Sequence, residues 1–175
     1  MKNKNLVLLA LFGVGIWYFF MRSRAQKIET KIEGINDQWD SLFVRYGKEF
    51  GVNPRLMKSI AANESLLGQF SGYEPNGGTR GLMHIKLGTA QDYEKDLTEY
   101  DLYWSVAADE NQIRVATKHM KRLLKKFGHD EKKAVQAYNA GEGRIQQFIT
   151  GKIESLPKTT VDYWDRYNRN FERLG

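Results

Sequence analysis

Glu64 stands first among the residues able to do chemistry. It falls on one helical face with Leu56 and Ile60, at steps of four, near the end of its helix and just ahead of an irregular stretch. Burial disfavours a carboxylate, and so does the negative end of a helix dipole, so both would raise the pKa of an acid held there. A carboxylic acid still protonated near neutral pH is what cleavage of a glycosidic bond requires, because the leaving oxygen must receive a proton. Position alone leaves a second reading open, that of a partly exposed acid at a helix end. Glu74, Asp92 and Asp162 are candidates for a second carboxylate. The three histidines, His84, His119 and His129, show no metal-like spacing and there is no cysteine, so a zinc peptidase or amidase finds no ligands. Neither a metal nor a cofactor is called for.

Four short strings succeed one another around this acid: Asn63-Glu64-Ser65; Gly81-Leu82-Met83-His84-Ile85 with Thr89-Ala90 shortly after; Ala137-Tyr138-Asn139-Ala140-Gly141; and Leu156-Pro157-Lys158-Thr159-Thr160-Val161-Asp162-Tyr163. In that order the series resembles the catalytic-domain pattern of lytic transglycosylases of the soluble, lysozyme-like type: E-S, G-L-M-Q-I, A-Y-N-A-G and P-x-x-T-x-x-Y. Any one string is weak, but four in order at plausible spacing are strong, and the resemblance covers about residues 37–167. It implies that Glu64 is the sole catalytic acid and base, with Ser65 beside it in the substrate cleft. It implies that Gly81, Leu82 and Met83 line the glycan groove, that Tyr138 and Asn139 shape the site opposite Glu64, and that the hydroxyl of Tyr163 contacts the catalytic glutamate. His84, also assigned to substrate, departs from the pattern, since the family has glutamine there and a histidine adds charge below about pH 6.5. Plain alternatives stay open: Tyr138 and Tyr163 as core aromatics, Met83 as a gap filler, and Ala140-Gly141 as a helix cap.

The elements that must position these residues read as helices. Trp39, Leu42, Phe43, Tyr46 and Phe50 recur at steps of three and four from Asp37 onward, with Gly51 as a stop. Asn53-Pro54 starts the helix that carries Glu64. Residues 70–81, with their glycines, Pro75 and Asn76, read as an irregular loop or short hairpin. Thr89 to Asp96 forms a short helix, while Leu97 to Ala108 shows no clear period. Glu110 to Phe127 is an amphipathic helix with Ile113, Ala116, His119, Met120, Leu123, Leu124 and Phe127 inside. Glu131 to Ala140, Gly143 to Thr150 and Thr159 to Glu172 complete six to eight helices. The fold class is therefore mainly α, and the resemblance makes it a lysozyme-like multi-helix domain with a small irregular or β-hairpin segment.

The chain of 175 residues, 41% hydrophobic and 13% aromatic, suits one folded domain and an appendage. That appendage is the uncharged run Leu6 to Met21, which ends in Trp17, Tyr18, Phe19 and Phe20 between Lys4 and Arg22. At about 1.5 Å per residue it reaches roughly 24 Å, enough to span a bilayer with its basic flanks snorkelling. We expect residues 1–27 to form a transmembrane anchor, 28–36 a tether and 37–175 the domain. A cleaved signal peptide is the competing reading. The net charge of +6 is concentrated at this end: removing Lys2, Lys4, Arg22, Arg24 and Lys27 leaves 22 basic against 21 acidic residues. A near-neutral domain is a poor nucleic-acid binder.

The function expected is cleavage of the β-1,4 bond between N-acetylmuramic acid and N-acetylglucosamine in peptidoglycan, non-hydrolytically, leaving 1,6-anhydromuramic ends. A hydrolytic muramidase and a non-catalytic glycan-binding scaffold are the alternatives. The expected partners are peptidoglycan glycan strands, the lipid bilayer through residues 6–21, and proteins of a virion or secretion complex. The domain is expected on the peptidoglycan side of a bacterial inner membrane or of a phage internal membrane, where it would open the wall locally.

Overall fold

A computed structural model describes residues 38–69 and 80–174, all within the unit Asp37–Gly175. The expected anchor and tether, most of the expected loop or hairpin, and Glu74 lie outside the described residues. Eight helices and no strand occur among those that are described: α1 (Asp40–Phe50), α2 (Pro54–Ser65), α3 (Leu87–Gln91), α4 (Glu99–Tyr103), α5 (Ala108–Lys126), α6 (Glu131–Ala140), α7 (Glu142–Ile149) and α8 (Lys158–Arg173). Among these residues no helix is long and apolar enough to cross a membrane.

Local chemistry accounts for the helix ends. The Asn53 side chain accepts from the Arg55 amide at 3.0 Å and Pro54 fills the first turn of α2. Asp130 accepts from the Lys133 amide at the start of α6. In α4, Thr98 and Asp101 form a reciprocal capping box. α5 carries Asp109 and Glu110 in its first turn and Lys125 and Lys126 in its last, matching its dipole at both ends.

Three local expectations are corrected. Trp39 is not inside α1 but precedes it, and the helix begins at Asp40. The ring of Trp39 lies against Gly68, where an added Cβ would sit 2.6 Å from it, while its Nε1 donates to Asp109 Oδ2 at 3.1 Å. The short helix expected from Thr89 is shifted to Leu87–Gln91. The unassigned stretch before α5 contains α4.

α2 packs against α8 and α1, α1 also against α5, and α6 against α5, α7 and α8. The shared core includes Phe43, Leu56, Met57, Ile60, Leu102, Ile113, Met120 and Tyr167, each at most 2% exposed. Burying each aliphatic side chain of this kind is worth about 1.5–3 kcal/mol. Thr160, Tyr163 and Tyr167 are the buried residues of α8; the Tyr163 hydroxyl reaches Glu64 of α2 and the Tyr167 hydroxyl reaches Glu131 of α6.

Candidate active site

Glu64 is the penultimate residue of α2, and the backbone beyond the helix end is unusual. Leu66 (φ 50°), Leu67 (φ 53°) and Gly68 (φ 82°) are all left-handed, a conformation that costs roughly 1–2 kcal/mol in a residue with a side chain. Ser65 secures this reversal. Its hydroxyl donates to the Leu82 carbonyl at 2.8 Å and accepts from the Gly68 amide at 2.8 Å. The end of α2 is thereby tied to the segment 81–85.

That segment is clamped along its length. The Met83 amide donates to Gln112 Oε1 at 2.9 Å, and the Met83 carbonyl accepts from Tyr138 Oη at 2.9 Å. The Ile85 carbonyl accepts from Tyr103 Oη at 2.7 Å. Gln112 is fully buried and also donates to the Leu102 carbonyl at 2.8 Å. Gly81 is obligatory here on two counts. Its φ is +83°, and a Cβ would lie 1.9 Å from Gln112 Nε2.

A cleft of about 650 Å³ opens above this frame. Glu64, His84, Tyr138, Asn139 and Tyr163 all line it, so five of the nine site residues expected from sequence come together. Ser65, Gly81, Leu82 and Met83 are not among its lining residues. The Leu82 and Met83 side chains are completely buried and Ser65 is 1% exposed. In this structure Ser65, Leu82 and Met83 tie together the frame under the cleft through the Ser65–Leu82, Met83–Gln112 and Met83–Tyr138 hydrogen bonds. Of the suggested second carboxylates, Asp92 lines the cleft, whereas Asp162 pairs with Lys158 at 2.6 Å on the exposed side of α8.

Tyr163 Oη donates to Glu64 Oε1 at 2.6 Å. His84 Nδ1 stands 3.6 Å from Oε2, too far for a hydrogen bond but within ion-pair reach. Both side chains are sheltered, at 14% exposure for Glu64 and 9% for His84. Burial, then the Glu64 charge, pushes the Tyr163 phenol well above its ordinary value, and the same two causes act on Tyr138. Both phenols therefore stay protonated and remain hydrogen-bond donors throughout the neutral range.

Several cleft residues were missed in sequence. Asn63 donates from Nδ2 to the Tyr163 carbonyl at 3.0 Å and accepts from Asn170 Nδ2 at 2.7 Å. Arg166 lies 5.6 Å from the Tyr163 ring centroid and faces the cleft. On the α5 side, Arg122 Nε donates to Tyr93 Oη at 2.7 Å, and Tyr93 in turn lies 3.0 Å from His119 Nδ1. Burial lowers the pKa of His119 to about 4, so the imidazole is neutral at neutral pH. Gln112 did carry a signal, since it lies four residues before Ala116 on the inner stripe of α5, where a polar side chain must find buried partners.

Residues 41–158 match the family model described as the Transglycosylase SLT domain. The chain belongs to the transglycosylase SLT family. Within it, the chain is 27% identical over 127 residues to the soluble lytic murein transglycosylase of Salmonella typhimurium, covering 67% of this chain and 19% of that protein. Its fold is similar to the crystal structure of an inactive mutant of lytic transglycosylase Slt from Pseudomonas aeruginosa, with a TM-score of 0.55, 21% identity, and coverage of 77% of this chain and 22% of that one. The chain thus spans about a fifth of the length of these two relatives.

Proposed function

We propose that this SLT domain cleaves the β-1,4 bond between N-acetylmuramic acid and N-acetylglucosamine in peptidoglycan, with Glu64 as its single acid and base. The observation that carries the reading is the 2.6 Å hydrogen bond from Tyr163 to Glu64 at the wall of the cleft. It fixes one carboxyl oxygen and leaves the group aimed at the space a glycan would fill. The name of the Salmonella relative, a soluble lytic murein transglycosylase, supports the same substrate class.

In the proposed reaction, protonated Glu64 gives its proton to the bridging oxygen and the bond from that oxygen to muramic C1 breaks. The substrate's own acetamido oxygen bonds to C1 and carries the positive charge. Glu64, now a carboxylate, takes the proton of the muramic O6, which attacks C1 and displaces the acetamido oxygen. The acid is restored, a 1,6-anhydro ring forms and no water is consumed. Tyr138 and Asn139 face the sugar across the cleft, and Arg166 offers a cation to anionic parts of the substrate.

Hydrolysis is the second reading, and Asp92 is the observation in its favour, since it lines the same cleft and could hold a water. We further propose that residues 6–21 anchor the domain in a bilayer on the peptidoglycan side, for local wall opening by a virion or a secretion complex. Clearing of purified cell walls by the full chain tests the enzymatic reading. Wild type should clear them and Glu64→Gln should not; equal clearing by both, or none by either, would overturn it.

A further inference from the structure

Two observations outside the proposed reaction meet at His84. The first is its distance of 3.6 Å from the one carboxyl oxygen of Glu64 that Tyr163 does not hold. The second is its backbone, left-handed at φ 45°. Such strain persists only where the surroundings enforce it. Here the peptide groups on either side are pinned, Met83 by Gln112 and Tyr138, and Ile85 by Tyr103. The scaffold thus holds the imidazole against the acid at a cost in local conformational energy.

We propose that His84 and Glu64 bind protons as a coupled pair, and that His84 thereby sets the upper pH limit at which this domain cuts its substrate. This rests on the reading of Glu64 as the acid. Imidazolium and carboxylate at this separation, both largely sheltered from water, stabilise each other's charged forms. When the pair holds a single proton, the imidazole competes with the carboxyl for it. A molecule whose proton sits on His84 has Glu64 as a carboxylate and cannot begin the reaction. Only the doubly protonated pair, or the part of the singly protonated population with the proton on Glu64, is competent.

Other groups bordering the cleft do not replace this partner. Tyr163 from α8 and Tyr138 from α6 keep their protons. Arg166 from α8 and Lys86 at the start of α3 add positive charge, and Asp92 after α3 adds negative charge. From α5, His119 is neutral above about pH 4, and Arg122 is engaged with Glu142 of α7 at 2.8 Å. His84 is the group here whose ordinary titration range lies near neutrality and which stands within ion-pair reach of the acid.

Two measurements on the full chain test the pair, and the first needs no activity. Titration of the histidine ring signals by nuclear magnetic resonance should show the His84 midpoint falling by about one pH unit or more in Glu64→Gln, where the carboxylate is gone. An unchanged midpoint overturns the proposal. The second is kcat/KM against pH for wild type, His84→Gln and His84→Asn, the last chosen because asparagine tolerates left-handed backbone. Both variants should keep cleaving while the alkaline limb moves to higher pH by a similar interval. A limb that stays in place in a folded, active variant overturns the proposal. Absence of cleavage by wild type at every pH would count against Glu64 as the acid, and the resonance titration would still decide the pairing.

Discussion

Asn63 donates its side-chain amide to the backbone carbonyl of Tyr163 at 3.0 Å, so the residue next to Glu64 holds in place the residue whose hydroxyl holds Glu64. Asn170, further along α8, closes the arrangement by donating to Asn63. α2 and α8 are thus joined by polar contacts beside Glu64, and elsewhere Arg55 Nε donates to the Phe171 carbonyl at 2.5 Å while its guanidinium lies 4.1 Å from the centroid of the Phe171 ring. Orientation of the carboxyl is a property of two helices and not of one side chain's rotamer.

Tyr163→Phe keeps the ring and removes the hydrogen bond. A hydrogen bond to a charged group is worth about 1.5–3 kcal/mol, which corresponds to roughly 10–100-fold in rate if it acts in the transition state. We expect kcat to fall within that range, with KM little changed and the thermal midpoint lowered by only a few degrees. Steady-state kinetics on solubilised glycan fragments check this, and a variant with wild-type kcat contradicts it.

Gly81→Ala should be among the most damaging single substitutions in the domain. It forces a side chain into left-handed backbone and into the Gln112 amide, which would have to leave Met83 and Leu102. Loss of about 3 kcal/mol or more is expected, read as the shift of a urea unfolding midpoint. A midpoint within error of wild type would show that Gln112 is not a fixed post beneath the cleft.

Stability should fall as the solution is acidified from about pH 6.5 to pH 4. His119 has its pKa lowered to about 4 by burial, against an ordinary 6.5. Between those values the unfolded chain binds a proton that the folded chain refuses, so stability is complete above 6.5 and is lost as pH falls through the window. The interval corresponds to about 3 kcal/mol. Urea unfolding at pH 7 and pH 4.5 should show this loss in wild type and a smaller one in His119→Gln; equal losses would contradict it.

Much of this arrangement was legible in the residues, though unevenly. The helices with long apolar stripes, α1, α2, α5 and α8, are visible because their buried positions recur at three and four residue steps. α4 is not, because five residues carry no period; its trace was the Thr98-x-x-Asp101 box, which identifies a helix start but not a length. At the site, the four strings all contribute residues to one cleft, but they do not say which side chains face it. Leu82 and Met83 are buried while His84, between them and Ile85, reaches Glu64. That alternation depends on left-handed backbone at His84, which no local pattern announces. The cross-chain partners of the site, Gln112, Asn170 and Tyr103, are defined only by tertiary packing.

Asp92→Asn separates the two reaction courses. If Asp92 activated water, the change would abolish most turnover. If Glu64 works alone with the substrate's acetamido group, Asp92→Asn should retain cleavage within about threefold of wild type, a change worth less than about 1 kcal/mol. Release of soluble muropeptides per unit time measures it, and a loss beyond about 100-fold would favour the hydrolytic course.

The most direct test is mass spectrometry of the muropeptides that the full chain releases from purified peptidoglycan. A single acid that acts first as donor and then as base toward O6 predicts 1,6-anhydromuramic ends, lighter by one water than reducing ends, from wild type and no release from Glu64→Gln. Release of reducing-end products by wild type would contradict that mechanism.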